Sequence, residues 1–228
     1  MPAHSKLWYL RHFRLLDALS EQQMRLVQRV TRMSEIKRGQ PIYLPGDPSD
    51  QVFLLKAGIV KIATSAPDGR DVILAFLRPG DVFGELAAVD ESPRDHVAVA
   101  YADAVICAMD KAFILQLIRE CPEFGYRITK LLGFRLRTFR ARVEDLLCKS
   151  AVARVAHTLC DLASEHGLSD AHGCVIPFRL SQRDLANLTG LTRETINIVL
   201  HDLRHRGLVD TTGRYLRLND LRGLRAVH

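Results

Sequence analysis

No apolar stretch of this sequence approaches the roughly 20 residues that a bilayer-spanning helix needs, which argues against a membrane protein. The amino terminus, MPAHSKLWYLRHF, lacks the layout of a signal peptide, and the expectation is a cytoplasmic protein. Cysteine is sparse and scattered: Cys107, Cys121, Cys148, Cys160 and Cys174 are odd in number and contain no CxxC pair. Neither a disulfide framework nor a zinc site fits that spacing, so they are read as reduced packing residues. Histidine is missing where a cupin-type oxygenase would need it. Between Met33 and Met109 only His96 occurs, whereas such enzymes cluster histidines with a carboxylate around a metal. No catalytic residue and no metal site are expected, and the chain is read as a non-enzyme.

What remains is an ordinary globular composition, 47% hydrophobic and 25% charged, in a length that supports one large or two modest domains. The net charge of +6 is unevenly placed. Residues 1–125 carry 15 Lys and Arg against 16 Asp and Glu, while 126–228 carry 17 against 10. The basic surplus lies in the C-terminal part, where a phosphate-binding surface would want it.

Residues 13–31 have helical periodicity, and Ser20 with Gln23 forms a capping-box pattern, so a short lead-in helix or helix pair is expected. From Met33 to Met109 the texture changes to brief apolar runs separated by Gly, Pro and Asp, the pattern of an antiparallel sandwich or jelly roll. Two echoes, Leu44-Pro45-Gly46-Asp47 and Arg78-Pro79-Gly80-Asp81, mark turns: Pro presets φ and Gly accepts a positive φ. A single long helical segment is expected from Asp110 to Lys149. In it Leu132, Leu136, Phe139, Val143 and Leu146 step by four, three, four and three, the seam of a coiled coil that wants a partner helix. Arg135, Arg140 and Arg142 flank that seam without acidic partners of similar spacing, which leaves solvent, acids on the sandwich or an anionic ligand to neutralise them. Ala151–His166 reads as a further amphipathic helix, Cys148–Ser150 as a hinge and Gly167–Gly173 as a polar loop.

The stretch Ser181–Leu208 carries the clearest functional signal. Ser181 and Asp184 form a capping pattern, Leu185 and Leu188 give one apolar face, and Gly190 ends the helix in a tight turn. Thr192 can cap a second helix whose apolar positions are Ile196, Val199, Leu200 and Leu203. Its other face crowds polar side chains into the N-terminal turns, the part of a recognition helix that enters the major groove. Arg193 suits guanine acceptors, Glu194 can accept from cytosine and Asn197 can read adenine, each good contact giving about 1–3 kcal/mol of discrimination. Ser181, Gln182, Thr192 and Thr195 complete the expected DNA-contacting set, with Ser181 and Thr192 as phosphate contacts. Leu208–Leu218 reads as two short strands around a Thr-Thr-Gly turn, a wing. An ordinary surface helix pair is the competing reading.

A second constellation lies in the sandwich segment: Phe83-Gly84-Glu85-Leu86-Ala87, then Ser92-Pro93-Arg94. Gly84 lets backbone approach a ligand, Glu85 can accept from a ribose hydroxyl and Arg94 can pair with a phosphate bidentately. A structural ion pair between Glu85 and Arg94 competes with that reading.

Across nearly its whole length the chain resembles the cyclic-AMP receptor protein and FNR family of bacterial transcription regulators. The resemblance rests on the paired Pro-Gly-Asp turns, FGELA with its following Pro-Arg, the long helix, and Thr-Arg-Glu-Thr at the second helix of the helix-turn-helix. It implies an α+β architecture: an N-terminal antiparallel β jelly roll of the cyclic-nucleotide-binding kind, a long dimerisation helix and a C-terminal winged helix-turn-helix. The implied domains are an effector-sensing sandwich with lead-in helices at 1–110, dimerisation helix and hinge at 111–149, and a DNA-binding domain at 150–228. The implied partners are a second copy joined along Leu132, Leu136, Phe139, Val143 and Leu146, double-stranded DNA with a near-palindromic operator, and RNA polymerase.

In the family's cyclic-nucleotide binders, Glu85 would take the ribose and Arg94 the cyclic phosphate. Asp95 departs from the family's small residue after that Arg, and Phe139 and Arg140 stand where hydroxyl side chains reach adenine. The effector site set is therefore Gly84, Glu85, Leu86, Ala87, Arg94, Asp95, Phe139 and Arg140, with a cyclic nucleotide held by altered base contacts as the first reading. Another anion such as a keto acid is the second; a gas sensor, with His12 and His96 available to haem, or an effector-independent regulator is the third. Arg193 and Glu194 match the family's base readers, and Ile198 replaces a second Arg, so one guanine contact becomes an apolar one, such as to a thymine methyl. The rival class is a cyclic-nucleotide regulatory subunit acting through protein contacts.

Overall fold

The computed structural model describes residues 13, 15–67, 69–89 and 92–227, so His12 lies outside the described residues. Two compact units emerge, one formed by the residues up to 64 with 74–137, the other by 65–73 with 138 onward.

In the first unit a 3-10 turn, Leu16–Ala18, precedes helix α1 (Glu21–Val30). Ser20 and Gln23 close the capping box expected from their spacing, with Gln23 N donating to Ser20 Oγ at 3.3 Å. Eight strands follow: β1 (Arg32–Ile36), β2 (Pro41–Tyr43), β3 (Gln51–Ala57), β4 (Val60–Ser65), β5 (Asp71–Leu77), β6 (Val82–Phe83), β7 (Val97–Ala100) and β8 (Ala104–Asp110). They form two four-stranded sheets, β1-β8-β3-β6 and β2-β7-β4-β5; β3 runs antiparallel to β8 and β6, β1 to β8, and β7 to β2 and β4. This is the sandwich that the short runs announced.

Strand β3 shows why its run is continuously apolar. Phe53 and Leu55 point into a core shared with Tyr43, Val60, Phe83 and Ile106, while Val52 and Leu54 join the helices in a second core. Both faces of the pleat are buried, so the usual alternation of apolar and polar residues vanishes.

The Pro-Gly-Asp echoes fold alike. In each, the Asp amide donates to the carbonyl of the residue three before it, at 3.2 Å for Asp47 and 3.0 Å for Asp81. In each, the Asp carboxylate accepts back from that residue's amide, at 2.7 and 2.8 Å. Gly46 and Gly80 take φ of 90° and 99°, a conformation that a side chain disfavours.

The long helical segment is broken, contrary to expectation. Helix α2 (Lys111–Glu120) ends where Cys121 turns extended, and Pro122 opens α3 (Pro122–Cys148). Proline lacks the amide that continuing the first helix would require, but suits the first turn of a new one. Phe124 and Ile128 at the start of α3 are buried in the core with α1 and α2, and Leu131 and Leu132 pack partly against it.

The second unit contains α4 (Ala151–His166), β9 (Leu168–Asp170), β10 (Gly173–Val175), α5 (Gln182–Thr189), α6 (Arg193–His205), β11 (Val209–Asp210), β12 (Arg217–Leu218) and α7 (Leu221–Arg225). The segment expected as a polar loop is instead the hairpin β9-β10, and the wing strands join it in one sheet, β11-β12-β10-β9. Leu168, Ser169 and Asp170 are all exposed, so no alternation betrayed the strand; backbone pairing made it. Val155, Leu159, Leu185, Ile196, Val199, Leu203 and Leu218 fill the interior of this unit.

Candidate functional site

Two sites take shape, one in each unit. In the second unit, Ser181 caps α5, accepting from the Asp184 amide at 3.1 Å, and Gly190 closes the helix at φ 68°. The amide of Leu191 donates to the carbonyl of Ala186 at 3.2 Å, which completes the tight exit. Thr192 then caps α6, accepting from the Thr195 amide at 3.1 Å. The apolar positions Ile196, Val199, Leu200 and Leu203 are buried, while Thr192, Arg193, Glu194, Asn197 and Ile198 are exposed on one end of the helix. Ile198 is 70% exposed.

Glu194 is held below the usual carboxylate range, first by its own backbone amide and then by the Thr192 hydroxyl. It is therefore ionised and acceptor-only at neutral pH. Gln182 in α5 donates through Nε2 to Asn197 Oδ1 at 3.2 Å, linking the two helices across their exposed faces. A groove of about 230 Å³ between α6 and the wing is lined by Gln182, Asn197, His201, Arg204 and Arg214 among others. Polar donors and arginines around a concave strip are what a phosphodiester backbone and base edges require.

In the first unit the constellation from Gly84 to Arg94 is brought together. Gly84 takes φ 69°, and a Cβ there would stand 2.8 Å from Arg94 Nη1. Glu85 and Leu86 lie in the following 3-10 turn, together with the backbone of Ala87. Arg94 is placed by its own backbone: its amide donates to the Asp47 carbonyl at 2.9 Å, and the Gly46 amide donates to its carbonyl at 2.8 Å. The first Pro-Gly-Asp turn thus holds the arginine, a role its sequence did not announce.

The Arg94 guanidinium is buried, 5% exposed. It donates to the Gly84 carbonyl at 3.2 Å and to the Gln51 carbonyl, and lies 4.5 Å from the centre of the Tyr43 ring. Its Nε is buried without a hydrogen-bond partner among the described residues. A buried charged donor left unmatched is costly, and an anion would repair it.

The competing reading, an ion pair between Glu85 and Arg94, is not what forms. Glu85, 3% exposed, pairs instead with Arg135 of α3, whose second Nη donates to the Val82 carbonyl. Of the neutralisers left open for Arg135 (solvent, acids on the sandwich or an anionic ligand), it is the sandwich acid that is found, and spacing along α3 alone could not single it out. Beside Arg94 a cavity of about 260 Å³ is lined by Ser49, Leu86, Ser92, Pro93, Asp95 and His96. Asp95 bonds His96 Nδ1 at 2.5 Å, and His96 Nε2 bonds the Tyr43 hydroxyl at 2.7 Å. Burial pushes the Tyr43 phenol above its ordinary range, so it stays protonated. Tyr43 and Gln51, which touch Arg94, were not among the expected effector residues, and His96 was named only as a haem candidate. Phe139 and Arg140 belong to the second unit and are exposed.

Along α3 the seam residues Leu136, Phe139, Val143 and Leu146 are 52, 62, 38 and 48% exposed. Leu132, the first of the five, is instead packed partly on the protein's own core. Among the described residues no group of three or more potential metal ligands occurs and no helix is long and apolar enough to cross a membrane.

Comparison with known proteins finds a family match in each half of the chain. Residues 33–121 match the model of the cyclic nucleotide-binding domain, and residues 153–227 that of the Crp-like helix-turn-helix domain. A CRP-like cAMP-activated global transcriptional regulator of Mycobacterium tuberculosis is 32% identical over 186 residues, covering 82% of this chain and 83% of the relative. The cyclic AMP receptor protein of Thermus thermophilus is 34% identical over 172 residues, covering 75% and 76%. Among solved structures, FixK2 from Bradyrhizobium japonicum superposes with a TM-score of 0.77 at 24% identity, over 87% of this chain and 97% of that one.

Proposed function

The chain belongs to the cyclic-AMP receptor protein and FNR family of DNA-binding transcription regulators, and from that premise we propose that it acts as an effector-controlled homodimer on a near-palindromic operator. In this reading Arg193, Glu194, Asn197 and Ile198 meet base edges, while Ser181, Gln182, Thr192 and Thr195 meet phosphates and set the register. The exposed apolar seam of α3 supports pairing of two copies, because paired recognition helices suit paired half-sites. Residues 1–110 would sense the effector, 111–149 join the copies and transmit, and 150–228 bind DNA and present a surface to RNA polymerase.

The effector we propose is a cyclic nucleotide with non-standard base contacts. The observation that carries this is the buried Arg94, which has an unmatched Nε and lines a 260 Å³ cavity. An anionic phosphate would supply the missing acceptor. The names of the Mycobacterium and Thermus relatives, which refer to cyclic AMP, support the ligand class. Phe139 and Arg140, in place of hydroxyl side chains, support altered base contacts.

One observation favours a second reading, an effector-independent regulator. Glu85 already has Arg135, and Arg94 already leans on two carbonyls, so the cradle satisfies most of its own groups. Titration calorimetry against cyclic mono- and dinucleotides, 2-oxoglutarate and haem, paired with operator affinity, separates the two. A cyclic nucleotide is expected to bind and to change operator affinity, and Arg94→Ala to abolish that change. Full operator affinity without any ligand, and no heat from any compound, would decide for the second reading.

A further inference from the structure

The end of α3, the start of α4 and the end of α5 converge on one side chain. Arg154 in α4 donates through Nη1 to the Thr189 carbonyl at 3.1 Å, and through Nη2 to the carbonyls of Leu146 and Lys149 at 3.2 and 3.3 Å. Thr189 is the last residue of α5, and Leu146 and Lys149 flank the last turn of α3. Carbonyls at helix C-termini lack intrahelical partners and carry the negative end of the helix dipole, so one guanidinium satisfies two helix ends together.

Further interactions lie at the same joint. His157 of α4 bonds the Asp145 carboxylate of α3, and Lys149 Nζ lies 2.7 Å from the other oxygen of that carboxylate. Ser150 caps α4, accepting from the Ala153 amide at 3.2 Å. A Cβ on Gly190, in the turn of the helix-turn-helix, would lie 3.4 Å from Leu146 Cδ2. Cys148–Ser150, which reads as a hinge in the sequence, is flanked by these interactions.

We propose that Arg154 is a positioning residue for operator recognition: by tying the first helix of the helix-turn-helix to the end of α3, it sets how strictly the protein demands one spacing between half-sites. This rests on the dimer and paired half-sites proposed above. Two recognition helices must match the roughly 34–36 Å between half-sites on one face of DNA. If each helix-turn-helix is fixed to its own α3, the pair can meet only one spacing. If the joint pivots, each can follow a displaced half-site. The planar fork of arginine reaches three carbonyls at the ends of two helices, which the single ammonium of lysine cannot do with the same geometry.

The test measures affinity of the full-length protein for operators at the natural spacing, for operators lengthened or shortened by one or two base pairs, and for an isolated half-site. Wild type is expected to lose about tenfold or more in affinity on a one-base-pair change, and Arg154→Lys and Arg154→Ala about threefold or less, on the scale of ordinary operator defects. Half-site affinity of Arg154→Lys should stay within about twofold of wild type, since no base-reading residue has changed. His157→Asn, which weakens the second bridge, should move the spacing profile in the same direction. An unchanged spacing profile in Arg154→Lys would overturn the proposal. So would loss of half-site binding by that variant, because Arg154 would then support the fold of the DNA-binding unit itself. Indifference of the wild type to spacing would instead bring down the paired half-site reading, and this proposal with it.

Discussion

Replacing Phe139 with alanine is expected to break self-association, while the same change at Phe134 leaves it nearly intact. The two rings are 62% and 56% exposed and lie on nearly opposite sides of α3, so general stickiness does not distinguish them. Only Phe139 belongs to the seam with Leu136, Val143 and Leu146. An aromatic side chain offers roughly 150–250 Å², so the 62% exposure of Phe139 leaves roughly 90–150 Å² to bury in a partner. At about 25 cal/mol per Å² that is about 2–4 kcal/mol per copy. A symmetric pair loses it twice, and alanine retains part of it, so about 4 kcal/mol is a reasonable net loss, near a thousandfold in the dissociation constant. Sedimentation equilibrium over a wide concentration range reads that constant directly. Equal weakening by both substitutions, or by neither, would refute the assignment of the seam. A wild-type protein that stays monomeric at the highest concentration would do the same.

Other outcomes follow from the two sites. Arg193→Ala should cost about 1–3 kcal/mol of discrimination at one symmetric base pair, read from a panel of operator variants, whereas Ser181→Ala should weaken all of them alike. Arg135→Met leaves the Glu85 carboxylate buried without its cation and should destabilise the first unit by about 1–3 kcal/mol in denaturant titration, because Arg135 is partly solvated. Adding Glu85→Gln should recover part of that loss, and a second substitution that deepens it would contradict the pairing. Arg217, 2.7 Å from Asp170, and then the His172 amide lower the Asp170 pKa from 3.8 to about 2. A depressed carboxyl stabilises the fold above its unfolded pKa, so this contribution should be present at pH 5 and fade as pH falls from about 4 toward 2. Acid unfolding monitored by circular dichroism should become shallower over that window in Asp170→Asn.

Much of this was legible in the chain because local chemistry and tertiary structure agree. Ser181 with Asp184, Gly190 and Thr192 specify two helices and their turn through caps that act within four residues. The Pro-Gly-Asp echoes encode their turns just as locally. The unread parts depend on residues far apart in sequence. Glu85 meets Arg135 across fifty positions, and Arg94 is held by Asp47 and Gly46, none of which a spacing rule connects. The hairpin β9-β10 escaped because both strands are short and the first is fully exposed, leaving no apolar rhythm to read. The break at Cys121-Pro122 was visible as a proline but was outweighed by apolar residues that continue on either side. Arg154 gave no signal, since an arginine in an amphipathic helix looks like any other solvated charge.

The sheet of the second unit has one further consequence. Its strand β10 pairs with β9 on one side and with β12 on the other, Cys174 lying opposite both Ser169 and Leu218. The chain therefore leaves this sheet after β10, builds α5 and α6, and returns to the same sheet through β11 and β12. Both ends of the helix-turn-helix are anchored in one ladder, so neither helix can fray outward from a free terminus. In native-state hydrogen exchange the amides of α5 and α6 should share a single opening energy with those of β10 and β12, a cooperative block that leaves or keeps its fold as one.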